Sequence, residues 1–301
     1  MPEINPHLCL AAIPRLKAVP ALDRFHNEVT ALLASGDPET FWNCAEHFSY
    51  LLSGSCITEI INHELHAFTV DPLYIPDDAT EQALTLVRTN DYTLELRFIP
   101  PYVPIGRFVR SASEHCFAGL VSSGPTTVER YLQPNPFPHD VFDRSRSLVP
   151  MKTVVLSKSQ CLRVRAGYDC FAIRPCPTEQ IYLFFRSRAH LRLLWEYSTE
   201  TLLPVKAVAT DPASSRLQYA SRLLSAMSYR EAIPTLFGLM DHPEHFVRWT
   251  AVQSIVALDL EKGLEALRAA TQDPHPHIRN AALKGLAMAA AMKADNPCAA
   301  D

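Results

Sequence analysis

The C-terminal part of the chain repeats itself with a period of 31 residues, and this limits its fold more than any other feature. A shift of 31 residues places Pro243 on Pro274 and Arg248 on Arg279. Apolar residues superpose at helical spacing around these positions. A period of this length with two amphipathic helices in each unit predicts an α-solenoid, whose units bury their apolar faces only by stacking.

The turns of this repeat carry a recurring series of residues. In the last unit the series is Asp273-Pro274, then Ile278-Arg279, then Ala282 in the next helix. The series resembles HEAT repeats, in particular the short units of bilin-lyase-like proteins. The resemblance implies a stacked helical surface that docks a protein partner, and it says almost nothing about chemistry.

Two different patterns come before the repeat. In residues 92–208, short runs such as Tyr92–Ile99 and residues 161–165 alternate apolar and polar side chains, and turn signals separate them. This pattern predicts an antiparallel β domain, either a sandwich or a small barrel. In residues 25–68 the apolar residues recur at helical spacing, which predicts helices ahead of the β domain.

Two stretches of the β region resemble the motifs of thiol-dioxygenase-type cupins. Residues 92–108 run from a strand through prolines to Pro104-Ile105, as the first cupin motif does before its two ligand histidines. Residues 155–173 run from a turn through a strand to Ala166-Gly167, as the second motif does before its third ligand histidine. The resemblance covers roughly residues 25–208, and it implies a cupin-like antiparallel β barrel preceded by a helical lead-in.

The positions that bind iron in those cupins carry other residues in this chain. Gly106 and Phe108 stand at the two histidine positions of the first motif, and Cys170 stands at the third. Non-haem iron needs imidazole or carboxylate ligands with open coordination positions, which Gly106 and Phe108 do not provide. The sequence therefore predicts a barrel without a metal at the family site and without a cofactor. The alternative is a metal site rebuilt elsewhere.

Five residues are candidates for a rebuilt Fe2+ site. His115, Glu129 and His139 supply two imidazoles and one carboxylate, which is the ligand set of a facial triad. His63 and His66 lie three residues apart on a predicted helix, although the metal-binding HExxH pattern needs a spacing of four. The alternative for each residue is an ordinary position at a turn, at a barrel rim or on a solvated helix face.

Arginines on the predicted strands are candidates for anion binding. Arg163 and Arg165 alternate with apolar neighbours and so share one face of their strand, and Arg97 alternates in the same way. Guanidinium groups match carboxylate and phosphate oxygens, so these residues, with Cys170, are predicted to contact a small anionic ligand. The alternatives are a solvent face with acidic partners for the arginines and a buried structural role for Cys170.

Composition argues against several classes of function. Lys and Arg number 28 against 32 Asp and Glu, and a net charge of −4 lacks the electrostatic footprint of a nucleic-acid-binding protein. Only 9 of 301 residues are glycine, and neither GxGxxG nor GxxxxGK[ST] occurs, which argues against the common nucleotide sites. No apolar run approaches roughly 18 residues and the first residues lack a signal-peptide pattern, so we expect no membrane partner and a cytoplasmic location.

These patterns together predict an α+β multidomain protein. The predicted parts are a helical lead-in packed on the barrel (1–90), a cupin-like β domain (91–209), a HEAT-like α-solenoid (210–293) and a disordered tail (294–301). The predicted function is that of a degenerate cupin that binds a small anionic ligand, a protein partner, or both, with the HEAT-like region as the docking surface. The alternative is a metal-dependent, dioxygenase-like oxidoreductase of small-molecule metabolism, with non-haem iron at a relocated site.

Overall fold

The computed structural model describes residues 12–76, 79–133 and 138–295. The chain divides into two compact units, residues 1–208 and 209–301. Our expectations for the first residues and for residues 296–301 of the tail lie outside the described residues, and residues 294 and 295 belong to a helix. Among the described helices, none has both the length and the apolar character needed to cross a membrane.

Helices come before the first strand of the first unit, as the sequence predicts. Helix α2 begins at a proline, whose fixed φ angle suits the first turn of a helix. The 3₁₀-helix begins after Asp37, whose carboxylate accepts a hydrogen bond from the Glu39 backbone N–H. The helices are α1 (Ala12–Ala18), α2 (Pro20–Leu33), the 3₁₀-helix (Pro38–Cys44), α3 (Ala45–Ser53) and α4 (Cys56–Val70).

The strands of the first unit form three antiparallel sheets. The strands are β1 (Ala79–Thr80), β2 (Ala83–Arg88), β3 (Tyr92–Ile99), β4 (Phe108–Arg110), β5 (Cys116–Leu120), β6 (Thr126–Leu132), β7 (Val149–Pro150), β8 (Val154–Leu156), β9 (Cys161–Val164), β10 (Asp169–Ile173), β11 (Gln180–Ser187), β12 (Leu193–Ser198) and β13 (Pro204–Ala209). The largest sheet has the order β1-β2-β3-β11-β5-β9. The second has β10-β6-β7 with β8 on β6, and the third has β13-β12-β4.

The β region begins earlier in the chain than the predicted boundary at residue 91. Strands β1 and β2 lie within the segment that we expected to be a helical lead-in, and the helices end at Val70. The reason is that β2 pairs with β3 along Ala83–Arg88, so its backbone groups are satisfied in the sheet.

The two faces of the largest sheet differ in character, because successive residues of a strand point to opposite faces. Leu96 of β3 is paired with Leu183 of β11, and both pack in the core that the sheet shares with the helices. Arg97, the next residue of β3, is paired with Tyr182 on the opposite face, and Glu95 shares that face with it. One face of the sheet is therefore apolar and covered by helices, and the other carries charged side chains.

A buried ion pair joins helices α1 and α4 to this sheet. Arg15 of α1 donates through Nε to the carboxylate of Glu64 in α4, and through Nη1 to the Thr85 carbonyl oxygen of β2 at 2.9 Å. The hydroxyl of Tyr74 donates to the second carboxylate oxygen of Glu64 at 2.9 Å. The side chains of Arg15 and Glu64 are only 2% and 6% exposed, so each charge depends on the other for compensation.

Helices form the second unit, and their turns repeat in detail. The Nη1 group of Arg248 donates to the carbonyl oxygens of His242 and Pro243, and Arg279 makes the equivalent two bonds one repeat later. Arg248 also binds the carboxylate of Asp273, in the next repeat, through two hydrogen bonds of 2.7 Å. The helices are α5 (Pro212–Ala226), α6 (Ile233–Leu239), α7 (His245–Leu258), α8 (Leu260–Ala270) and α9 (Pro276–Asp295).

The ion pair between repeats favours the charged form of both partners. Burial alone raises the pKa of Asp273, but the hydrogen bonds from Arg248 and from the His275 backbone outweigh burial and hold the pKa below its usual value. The hydrogen bonds that Arg248 donates to Asp273 in turn raise the pKa of Arg248. At neutral pH the ion pair therefore stabilises the contact between two successive repeats.

Replacement of Glu64 by leucine is expected to lower the free energy of unfolding of the first unit by about 3 kcal/mol or more, because it leaves the Arg15 charge buried without a partner. The double variant Arg15→Met/Glu64→Leu removes both charges and is expected to recover much of that loss. Urea unfolding followed by the fluorescence of Trp42 and Trp195, in a chain with Trp249→Phe, measures the difference.

The control for this prediction is Glu28→Leu, which removes the exposed carboxylate that is hydrogen-bonded to His47. Exposed pairs of this kind contribute little, so its free energy of unfolding is expected to stay within about 0.5 kcal/mol of the original. A loss for Glu64→Leu no larger than that of the control would contradict the prediction.

Candidate ligand-binding cavity

A cavity of about 800 Å³ lies in the first unit and is lined by residues of all three sheets. Its size falls in the range of small-molecule sites, roughly 300–1,000 Å³. Apolar side chains form part of its wall, including Phe108 of β4, Phe171 of β10 and Phe184 of β11. The cavity therefore offers apolar contacts to a ligand of small-molecule size.

Charged side chains line the same cavity, and cations outnumber acids. The cations are Arg97, Arg107, Arg110, Arg186 and Lys206, and the acids are Glu114 and Glu196. These side chains come from β3, β4, β11, β12, β13 and the loops on both sides of β4. The fold brings them together from distant parts of the sequence, and the resulting excess of positive charge favours an anionic ligand.

One group of these charges lies on the inward face of the largest sheet. Glu95 accepts from Arg97, with Nη2 at 2.7 Å from Oε1, and pairs with Arg186, whose Nη1 lies 3.4 Å from Oε2. The guanidinium carbons of both arginines lie over the ring of Phe184, at 5.3 and 4.7 Å from its centre. The Nε atom of Arg186 is 3.6 Å from Glu114. Burial raises the pKa of Glu114, and Arg186 opposes that shift.

A second group of charges surrounds Glu196, which is almost fully buried. Its side chain is 3% exposed and pairs with Arg110 at 2.7 Å and with Lys206 at 3.1 Å. Burial pushes the pKa of Glu196 up, but the hydrogen bonds from the two cations outweigh burial and lower the pKa. The side chains of Arg110 and Lys206 are 68% and 58% exposed, so both keep donors available at the cavity surface.

The three positions at which the resemblance to cupins led us to expect metal ligands do not lie together. Gly106 and Phe108 line the cavity, but Cys170 is absent from its lining. Cys170 is 1% exposed and packs in a separate core cluster with Tyr131 and Trp195. Burial raises the pKa of the Cys170 thiol strongly. The structure therefore places Cys170 as a buried thiol and not in the cavity as a ligand-binding group.

The predicted anion-binding arginines divide between two places. Arg97 lines the cavity described above, on the inward face of the largest sheet. Arg163 and Arg165 line a different cavity with Trp42, and the two cavities have no lining residue in common. The three arginines do not form one site, because Val164 of β9 faces inward and its two neighbours face outward.

The candidates for a rebuilt iron site are held by other contacts. The Nδ1 atom of His115 accepts a hydrogen bond from the Ala166 backbone at 3.1 Å, so its lone pair is already used. His139 packs against Gly167, where an added Cβ would lie 2.6 Å from Nε2. Glu129 accepts from Tyr131 at 2.6 Å and from Arg174 at 2.7 Å.

These contacts do not bring the three candidate ligands to one point. In the part of the chain that the structure describes, no group of three or more His, Cys, Asp and Glu side chains is arranged to hold a metal ion. On helix α4 the buried member of His63-Glu64-Leu65-His66 is Glu64, in the pair with Arg15, and Leu65 is 56% exposed.

The site residues that sequence reasoning missed include Arg107, Arg110, Glu114, Glu196 and Lys206. Arg110 lies on β4, whose three residues are too few to show a period, and Lys206 lies on β13, where polar and apolar residues do not alternate regularly. Glu95 and Arg97 did have a periodic indication, because they alternate with Leu94 and Leu96. That alternation separates the two faces of β3 but does not say what covers each face.

Comparison with protein families finds a match in the second half of the chain. Residues 202–287 match the family model for HEAT repeats. This match confirms the prediction of HEAT-like repeats, and it covers less than a third of the chain. A comparison with curated proteins finds no match.

Comparison with solved structures finds only distant similarity. Hydroquinone 1,2-dioxygenase from Sphingomonas sp. TTNP3 is 13% identical, with 38% of this chain and 70% of that chain covered and a TM-score of 0.27. An RmlC-like cupin from Shewanella frigidimarina is 14% identical, with 36% and 76% covered and a TM-score of 0.24. Vicilin from Solanum lycopersicum is 15% identical, with 36% and 26% covered and a TM-score of 0.25. Scores of this size carry no argument for fold or function, so the cupin barrel stays a prediction.

Iodoacetamide at pH 8 is expected to modify Cys170 at least about tenfold more slowly than Cys176, because the reactive species is an accessible thiolate. Cys176 is partly exposed, whereas Cys170 is buried and its pKa is raised. Cys116 is a matched control, since it is 5% exposed and burial raises its pKa to about 12. Peptide mass spectrometry after timed labelling of the native chain gives the rates. Equal rates for Cys170 and Cys176 would show that Cys170 is accessible.

Proposed function

We propose that the first unit binds a small organic carboxylate with an apolar or aromatic body, in the cavity between its three sheets. The observation that carries the proposal is the lining, in which five cations face two acids beside aromatic walls. Guanidinium and ammonium groups donate charge-assisted hydrogen bonds to carboxylates, and these are stronger than neutral hydrogen bonds.

The two groups of charges have different parts in this proposal. Arg97 and Arg186 are held by Glu95 and stacked on Phe184, so they set a fixed positive field inside the cavity. Arg110 and Lys206 are well exposed and share one acid, so they are the donors proposed for the ligand carboxylate. The rings of Phe108 and Phe171 are the proposed contacts for the ligand body.

The proposal extends the cupin interpretation of the sequence. In a degenerate cupin the barrel keeps its pocket after the loss of its metal ligands, and the pocket then serves binding and not oxidation. Two features support this interpretation: Gly106 and Phe108 stand where the resemblance expects histidines, and both line the cavity. Under this proposal we expect the first unit to bind its ligand without a cofactor.

Benzoate is the probe for this site, and benzamide, of similar shape but neutral, is the matched control ligand. We expect benzoate to bind the full chain and benzamide to bind at least about tenfold more weakly, since a charge-assisted contact is lost. The substitution Arg110→Gln is expected to lower the affinity for benzoate by about tenfold. Isothermal titration calorimetry at constant ionic strength, with the exposed Arg144→Gln as control variant, measures these differences.

The results of this titration separate the proposal from its rivals. Equal binding of benzoate and benzamide, or equal losses in Arg110→Gln and Arg144→Gln, would contradict the carboxylate site. Anaerobic loading of the same protein with Fe2+ tests the oxygenase alternative. Near-stoichiometric iron that falls in His115→Ala or His139→Ala would overturn the metal-free proposal.

We propose a second role, protein docking, for the exposed face of helix α5 in the second unit. Tyr219, Leu223 and Met227 follow one another at intervals of four residues and are 69%, 49% and 68% exposed. The same helix buries two small polar residues, Ser214 and Ser221. Leu224 of the same helix packs against the core of the unit, so the exposed apolar stripe is additional to the face of α5 that contributes to the core.

The charges beside this stripe indicate what kind of partner fits. Arg216 and Arg222 of α5 are both exposed, and the helix contains no acidic residue. A partner helix with an apolar stripe bordered by Asp or Glu would complement both the stripe and the arginines. The occupant that we propose is an acidic amphipathic helix of another protein.

The probe for this surface is a dye-labelled designed peptide with one leucine stripe flanked by glutamates, and the control is its scrambled sequence. We expect the striped peptide to bind the full chain in fluorescence anisotropy, and Leu223→Ser to weaken binding by about tenfold. Leu283→Ser, at another exposed apolar position of the unit, is the control variant and should bind normally. Three results would count against this docking surface: no binding of the striped peptide, equal binding of the striped and scrambled peptides, or equal binding of the striped peptide by Leu223→Ser and by the original chain.

A further inference from the structure

A second cavity of the first unit has properties that the proposed carboxylate site does not use. It has a volume of about 510 Å³ and no lining residue in common with the larger cavity. Its walls come from the 3₁₀-helix, β6 and the segments around β9 and β10. The lining residues are Glu39, Trp42, Arg130, Leu132, Met151, Arg163, Arg165 and Asp169.

Two of its three arginines are positioned by aromatic rings. The guanidinium carbon of Arg165 lies 4.4 Å from the ring centre of Tyr168, and that of Arg163 lies 5.7 Å from the ring centre of Phe117. Within the described parts of the chain, no carboxylate lies within ion-pair distance of either group. A guanidinium stacked on a ring keeps its N–H donors in its own plane free for an anion.

The acidic residues of this cavity already have partners. Asp169 accepts from the Arg165 backbone N–H at 2.8 Å through Oδ2, and its Oδ1 lies 3.5 Å from Arg130. Glu39 lies 3.6 Å from the Nε2 atom of His115. Because Nδ1 of His115 accepts from a backbone N–H, a neutral His115 carries its proton on Nε2, toward Glu39. The acids therefore leave Arg163 and Arg165 available.

The remaining walls of the cavity are apolar or aromatic. Trp42 is partly buried, and its ring packs against His115 at 4.7 Å and edge-on to Phe117 at 5.3 Å, which fixes its orientation. Leu132 and Met151 complete the apolar part of the lining. A ligand that fills this cavity thus meets cations on one part of its surface and a fixed indole on another.

We propose that this second cavity binds a phosphate monoester whose organic group is aromatic. A phosphate monoester dianion offers three terminal oxygens, which suits three guanidinium groups better than the two oxygens of a carboxylate. The aromatic group of the ester contacts Trp42 and the apolar wall. The proposal does not depend on the carboxylate site, since the two cavities are lined by different residues.

Phenyl phosphate, inorganic phosphate and benzoate are the probes, titrated calorimetrically into the full chain at constant ionic strength. We expect phenyl phosphate to bind more tightly than inorganic phosphate, and Arg165→Gln and Arg163→Gln each to weaken phenyl phosphate by about tenfold. Neither substitution should change benzoate binding. Arg110→Gln, at the other cavity, and Arg144→Gln should leave phenyl phosphate binding unchanged.

Each other result has a definite meaning for this proposal. Weakening of phenyl phosphate by Arg110→Gln and not by Arg165→Gln would assign the ester to the larger cavity and overturn the proposal. Equal binding of inorganic phosphate and phenyl phosphate would contradict the proposed contact between an aromatic group of the ligand and Trp42. Absence of phenyl phosphate binding in a chain that binds benzoate would reject the second site while leaving the carboxylate site intact.

Discussion

The pairing of β3 with β11 at the centre of the largest sheet is the constraint on which the rest of the first unit depends. Its register sets every second side chain toward the helices and the others toward the cavity. A slip of one residue would carry Leu96 and Leu183 into the cavity and bury Arg97 under the helices. The hydrophobic core against the helices and the positive lining of the cavity therefore have one common cause, and neither could shift without the other.

Much of this architecture follows from periodicity, because periodicity reports which side chains share a face. The 31-residue repeat predicted the helical stack, and the equivalent bonds of Arg248 and Arg279 show why its turns keep their residues. Alternation predicted the antiparallel sheets. The start of the β region was predicted less accurately. Strand β2 is defined by its pairing with β3, and a local sequence pattern does not report contacts between separate segments.

The candidate site was harder to predict, because it depends on which faces meet in three dimensions. Arg97 and Arg163 both alternate with apolar residues, yet one faces inward and the other outward. Local pattern does not mark Glu64 as buried, because its partner Arg15 lies 49 positions earlier in the chain. Cys170 was predicted to contact the ligand with Arg97, but it lies in a separate core cluster and not in the cavity lining. In each case the missing information is a partner distant in sequence.

Strand β9 separates the two cavities, and its residues alternate between them. Val164 lines the larger cavity, while Arg163 and Arg165, its immediate neighbours, line the smaller one. A single backbone segment is therefore a wall of both compartments. The two compartments therefore share a backbone wall but no lining side chain, so a side-chain substitution in one leaves the lining residues of the other unchanged.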